Sequence, residues 1–300
     1  MARPAAAVLV AALLVAGPAA HAGEGAVGRG AYVFHAAGGC SCHTDLKGGG
    51  APLAGGRALA TPFGTFYSPN ITPDRETGIG GWRLADLARA LRQGRAPDGS
   101  PYYPAFPYPS FSAMSDADVA DLAAYLRTVA PVHRVNRPHD LAIPVRWRWT
   151  VKLWKWFEFT PGRFRRDPTR SAAWNRGAYL ATALAHCGEC HTPRDRLGAV
   201  DREMWFAGTE KGPDGEPAPN ITPDADTGIG EWSVGDIATL LGTGVKPNFD
   251  DVQGAMAEAI EQGYRYLSDA DRRAIGVYVL SLAPIHHRVG KPRPPAGPYE

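Results

Sequence analysis

Charge of one sign, long apolar runs and cysteine are all scarce in this sequence. Thirty-two Lys and Arg stand against 30 Asp and Glu, a formal net charge of +2. That balance gives no argument for a nucleic-acid partner, so any charged docking surface must be local. The one extended apolar run lies at the start: Arg3, then Ala5 to Val15, Gly17-Pro18, and Ala20-His21-Ala22 before Gly23. It falls short of the ~20 apolar residues of a membrane span and has the charge, length and small-residue cleavage pattern of a secretory signal. Residues 1–22 are therefore predicted to be removed on export to the periplasm. With 44% apolar and 21% charged residues in 300, the remainder reads as globular and long enough for two domains.

Four cysteines in an exported chain usually mean two disulfides, but their spacing argues otherwise. Cys187-Gly188-Glu189-Cys190-His191 is a C-x-x-C-H motif, and Cys40-Ser41-Cys42-His43 is a shortened relative of it. In such a motif the two thiols add across the vinyl groups of a haem and the adjacent histidine supplies an imidazole to the iron. Two covalently bound haem c groups are expected. If Cys42-His43 stands in the usual relation, Gly39 occupies the other cysteine's place and Cys40 is one position too close. Two outcomes stay open for this site, a strained second thioether or attachment through Cys42 alone. A Cys40–Cys42 disulfide is disfavoured because i, i+2 pairs seldom reach disulfide geometry. A zinc site built from the same residues would leave the Cys-His adjacency unexplained.

The chain also repeats itself. Arg29-Gly30-Ala31-Tyr32 recurs as Arg176-Gly177-Ala178-Tyr179, Pro69-Asn70-Ile71-Thr72-Pro73-Asp74 as Pro219 to Asp224, and Ser115-Asp116-Ala117-Asp118 as Ser268 to Asp271. The offset is 148 at the motif histidines, 150 at Trp82 and Trp232, and 153 at the serines, so the copies are collinear. Each copy reads as helical. A short helix leads into the cysteine motif, a long Gly/Pro-rich loop follows, and Leu87, Ala88 and Leu91 or Ile237, Leu240 and Leu241 lie at helical spacing before Gly94 and Gly242 or Gly244. The last helix begins with a Ser-x-x-Asp cap, followed by Val119, Leu122, Ala123 and Leu126 or Ile275, Tyr278, Val279 and Leu282 on one face. The expected fold is all-α: two tandem class I cytochrome c domains, 23–130 and 174–285, joined by an aromatic-rich connector at 131–173. Arg146-Trp147-Arg148-Trp149 and Trp154-Lys155-Trp156-Phe157 in that connector read as aromatics strapped against the domains. The rival reading is an interfacial membrane segment with peripheral membrane contact. Residues 286–300 are proline-rich and read as a disordered tail.

Together these features carry a resemblance. The order of haem motif, Asn-Ile-Thr-Pro-Asp loop, Gly-Ile-Gly-x-Trp, Tyr-Pro-Ala-Phe-Pro-Tyr and Ser-Asp-x-Asp helix resembles the cytochrome c subunits of bacterial membrane-bound alcohol, gluconate and fructose dehydrogenases and their soluble dihaem relatives. It extends over nearly all of Val27 to Pro284. Those subunits carry three haems and usually a C-terminal membrane segment, whereas this chain stops after the second repeat. The resemblance implies electron relay rather than enzyme catalysis, with a dehydrogenase, a quinol-oxidising complex or a terminal oxidase as redox partner. It further implies His43 and His191 as proximal iron ligands and methionines, Met114 and Met256, as distal ones. Met256 is expected in the loop before the last helix, Met114 directly at the helix cap. Trp82 and Trp232, and less so Asn70 and Asn220, are candidates for contacts to haem propionates. The competing function is a dihaem redox enzyme, a peroxidase or sulfur-compound dehydrogenase, with a labile distal site on the first haem.

Overall fold

The computed structural model describes residues 25–212 and 215–290; the signal segment 1–22 and residues 291–300 of the tail lie outside the described residues. In the first copy, α1 (Ala26–Ala36) leads into a tight 3-10 turn, Gly38–His43, that carries the shortened motif. There follow β1 (Ala58–Thr61), β2 (Gly64–Tyr67), α2 (Leu84–Gln93), the single turn α3 (Tyr108–Phe111) and α4 (Asp116–Leu126). The connector supplies β3 (Asp140–Leu141) and α5 (Arg148–Glu158). The second copy runs through α6 (Ala172–Tyr179), a π-turn at Leu180–Leu184, the motif turn α7 (Gly188–His191), α8 (Val234–Thr243), α9 (Gly254–Gln262) and α10 (Asp269–Val279).

The repeated Arg-Gly-Ala-Tyr tetrapeptide explains how each copy closes. Arg29 binds Asp121 of α4 through two hydrogen bonds of 2.7 and 2.9 Å, and Arg176 grips Asp271 of α10 at 2.9 and 2.6 Å. The glycine next in sequence lets first and last helix cross in backbone contact. A Cβ on Gly30 would lie 1.9 Å from the Asp121 carbonyl oxygen, and one on Gly177 would lie 1.8 Å from that of Ala274. The predicted serine caps form as well. Ser115 Oγ accepts from the Asp118 amide at 3.0 Å and Ser268 Oγ from the Asp271 amide at 3.1 Å. Val119, Leu122, Ala123 and Leu126 of α4 are buried, as are Ile275, Tyr278 and Val279 of α10.

Two features overturn the expected architecture. The chain is not all-α: β1, β2 and β3 form an antiparallel sheet in that order, with Ala58 opposite Tyr67, Thr61 opposite Gly64, and Gly64 opposite Leu141. The hairpin closes because Thr61 Oγ1 donates to the Gly64 carbonyl at 2.7 Å and accepts the Phe63 amide at 3.2 Å. Phe66 of β2, Tyr103 and Val151 of α5 then bury one another beneath the connector. Nor does each copy keep a core of its own among the described residues. One apolar cluster joins Val33, Phe34, Met114 and Leu122 of the first copy to Leu180, Leu184, Ile260, Tyr264 and Ile275 of the second. Side chains from both copies complete it, so burial, the main favourable term in folding, is shared across the repeat boundary.

Candidate haem-attachment sites

The second motif sits on one half-buried helical turn. The amides of Cys190 and His191 both donate to the Cys187 carbonyl, at 3.2 and 2.9 Å, bringing the two thiols and the imidazole to one side. Gly188 is required there, because a Cβ would meet the Trp205 ring at 2.2 Å. His191 is buried, and its Nδ1 donates to the Pro219 carbonyl at 2.8 Å. A carbonyl can only accept, so Nδ1 carries the proton and Nε2 is left with a bare lone pair. Burial lowers the His191 pKa, which keeps that lone pair unprotonated, and pushes the Cys187 and Cys190 thiols up to about 12.

The first motif reaches the same end by a different backbone path. Gly38, Gly39 and Cys40 all have positive φ, at 69°, 65° and 48°. The two glycines adopt this freely, but Cys40 does so at a cost of order 1 kcal/mol. Cys42 emerges exposed and Cys40 half-buried, with burial pushing the Cys40 thiol up to about 12. His43 Nδ1 nonetheless donates to the Pro69 carbonyl at 2.8 Å, matching its counterpart, and burial again lowers the imidazole pKa. The loop behind each histidine is also duplicated. The Asn70 amide group donates to Val132 O (2.7 Å) and Thr77 Oγ1 (3.1 Å), and that of Asn220 to Ile285 O (2.7 Å) and Thr227 Oγ1 (3.1 Å). Both asparagines are thus occupied in holding their own loops. A bare imidazole nitrogen beside thiols and an apolar wall is the donor set a covalent haem requires, and both motifs fit it.

The remaining candidates are more dispersed. Met114 is fully buried, and its carbonyl accepts from Arg92 at 3.2 Å and Arg163 at 3.1 Å. Met256 is half-buried and lies on α9 rather than in a loop, because Ala255, Ala257, Glu258, Ala259 and Glu261 are strong helix formers. Trp82 shares a shallow cleft with Ile79, Leu87, Ala123 and Leu126, residues other than the motif cysteines and His43. Trp232 packs against the shared core.

Several residues that bear on the sites escaped the sequence reading. Trp205 closes over Gly188 and stacks on Phe206 at 4.7 Å; at the corresponding place the first copy has Pro52, so comparing the repeats gave no signal. Each motif is also covered by the other copy. The carbonyl of Gln262, at the end of α9, sits so close above Gly39 that a Cβ there would come within 2.3 Å. In return, Ser110 of α3 donates to Glu189 at 2.6 Å and Phe111 lies edge-on to His186 at 5.2 Å. Between them, buried Tyr264 donates to the Ala185 carbonyl at 3.1 Å. Its pKa is raised well above the ordinary value by burial, with added contributions from Cys187, Cys190 and Cys42. A Cβ placed on Gly38 would also lie 3.7 Å from the Tyr264 hydroxyl, so this one tyrosine stands beside the chain that leads into each motif.

Sequence comparison agrees with this geometry. Residues 27–130 match the cytochrome c family. The chain is 43% identical over 265 residues to a diheme cytochrome c-type protein of Cereibacter sphaeroides, covering 87% of each. It is 42% identical to the fructose dehydrogenase cytochrome subunit of Gluconobacter japonicus, covering 85% of this chain and 52% of that one. It is 38% identical to the gluconate 2-dehydrogenase cytochrome c subunit of Pantoea cypripedii, covering 87% and 60%. The chain therefore spans about half to three fifths of those two dehydrogenase subunits. Its length is that of the diheme protein, its two motifs present the same bare imidazole nitrogen beside their thiols, and so it belongs to the dihaem cytochromes c, electron-transfer proteins with two covalently bound haem c groups.

Proposed function

We propose that this chain relays single electrons between a dehydrogenase and a respiratory acceptor in the periplasm, close to the membrane. In this reading Cys187 and Cys190 hold one haem and Cys42, with or without Cys40, the other; His43 and His191 are the proximal ligands and Met114 and Met256 the distal ones. When bound, haem supplies reversible one-electron storage on its iron. The residues around it keep that storage reversible. The Nδ1 bonds to Pro69 and Pro219 orient each imidazole and raise its basicity. Burial of the histidines keeps protons from competing for Nε2.

The single observation that carries the reading is the duplicated motif, histidine and proline carbonyl included. Relay is favoured over ligand-binding chemistry at the first haem by Met114, which is fully buried with its carbonyl clamped by two arginines and so poorly placed to swing away. Among the described residues no helix is long and apolar enough to cross a membrane. The dehydrogenase donor is suggested by the relatives that serve fructose and gluconate dehydrogenases. An optical redox titration of the holoprotein, with haem counted as pyridine haemochrome, tests the assignment. Two haems per chain are expected, and Met256→Leu should lower one potential and remove its sulfur-to-iron charge-transfer band. An unchanged potential and spectrum in Met256→Leu would exclude that ligand.

A further inference from the structure

Helix α5 is amphipathic in the wrong direction for a helix that only joins two halves of a protein. Its inner face is fixed to the body of the molecule. Val151 is buried against Phe66 and Tyr103, Trp154 Nε1 donates to the Leu197 carbonyl at 3.0 Å, and Lys155 Nζ donates to the Gly94 carbonyl at 3.0 Å. Its outer face is apolar. Trp149, Leu153, Trp156 and Phe157 follow one another at i, i+4, i+7 and i+8, and they are 59, 49, 78 and 67% exposed. Trp147, stacked on Trp149 with rings 6.5 Å apart, and Ile143 extend the strip at 47 and 63%. A soluble connector would turn such a stripe inward.

Charge is concentrated in the same segment. Residues 131–173 hold ten Lys and Arg against three Asp and Glu, a surplus of seven positive charges in a chain whose total is +2, so the remainder carries minus five. Arg146, Arg148 and Lys152 are exposed on or beside α5, and Arg163, Arg165 and Arg166 follow it.

We infer that α5 is a membrane-docking ridge that seats in the headgroup zone of an anionic lipid bilayer. The inference deepens the proposed relay by giving it a surface to work on. Tryptophan and arginine are the side chains suited to that zone, the indole at the level of the headgroups and the guanidinium among their phosphates. Shape favours lipid over protein. Trp156 at 78% exposure protrudes and offers a partner protein no pocket, whereas a fluid interface receives a ridge without needing a complementary surface. The net negative remainder of the molecule is repelled by the same surface, which orients α5 downward.

The test uses holoprotein and sedimentation with vesicles of phosphatidylcholine alone or mixed in equal parts with phosphatidylglycerol. Binding is expected to the mixed vesicles, weaker to phosphatidylcholine, and reduced by salt. Trp149→Ser/Trp156→Ser/Phe157→Ser should weaken binding by about tenfold or more, while Arg146→Glu/Lys152→Glu should abolish the preference for the anionic mixture. All these residues are exposed, and an unchanged Soret spectrum and haem count would confirm an intact protein. If wild-type holoprotein with two haems binds neither vesicle, the ridge proposal falls and the relay stands; if the chain holds no haem, the relay falls whatever the vesicles show. Should the triple variant bind vesicles like wild type yet accept electrons more slowly from a dehydrogenase donor, the face belongs to a protein partner and the proposal is overturned.

Discussion

Cys40 and Cys42 show how one missing residue propagates through a site. The backbone compensates with three successive left-handed residues and still delivers His43 to the same proline carbonyl as its counterpart. The histidine is thus conserved in geometry while the first thiol is displaced. Because Cys42 is adjacent to the histidine and exposed, whereas Cys40 sits half-buried on the strained turn, covalent attachment is expected to depend on Cys42. Mass spectrometry of the peptide spanning Gly38 to Lys47 should find haem retained in Cys40→Ala and lost in Cys42→Ala; the reverse pattern would identify Cys40 as the attaching cysteine. At this scale the sequence was informative, since C-x-x-C-H and its shortened form name the thiols and imidazoles directly. It was silent on Trp205 and Tyr264, which act by packing over a motif and carry no spacing that marks them. Asn70 and Asn220, read as lesser candidates for propionate contacts, donate to carbonyls that hold their own repeated loops.

At the level of elements, periodicity foretold the helices with clear caps and missed those whose signals conflict. The α4 and α10 starts follow from Ser-x-x-Asp, and α2 and α8 end at Gly94 and Gly244. The sheet was not legible because β1 and β2 have only four residues each and β3 two, contributed from the connector some 70 residues later. The outward stripe of α5 was hidden by Pro144 and Pro161, which read as breakers but bracket the helix from outside. Gly30 and Gly177 make the helix crossings testable. An added methyl would have to displace the facing backbone, so Gly30→Ala or Gly177→Ala should cost about 1–3 kcal/mol or more, where an ordinary exposed helical Gly→Ala would stabilise. Chemical denaturation of each variant, followed by far-ultraviolet circular dichroism, measures the cost. A gain in stability in either variant would mean that its helices do not meet at that glycine.

Across the whole molecule the two copies are clasped by a reciprocal exchange. Tyr32 of α1 donates to Asp271 at 2.5 Å and accepts the Ser268 amide at 3.1 Å, so it completes the cap of the other copy's last helix. Tyr179 of α6 does the same in return, donating to Asp118 and accepting the Ser115 amide at 3.0 Å. Repeated residues thus serve both closure and assembly: arginine and glycine bind within a copy, and tyrosine binds across. Burial and the partner aspartate hold the pKa of each phenol above its ordinary value, and burial raises that of Tyr264 as well. The folded state therefore keeps these protons at pH values where the unfolded chain has begun to release them. Stability from the clasp is full below about pH 10 and declines as pH rises beyond it. Tyr32→Phe and Tyr179→Phe should each lower the denaturation midpoint at neutral pH, by about 1–3 kcal/mol for a lost hydrogen bond to a charged group. Above pH ~10 the gap between variant and wild type should narrow, because the variant has no phenol to ionise at that site. Denaturation curves recorded from neutral to strongly alkaline pH decide it. A gap that stays constant or widens with pH would show that the tyrosines do not join the copies through their neutral hydroxyls.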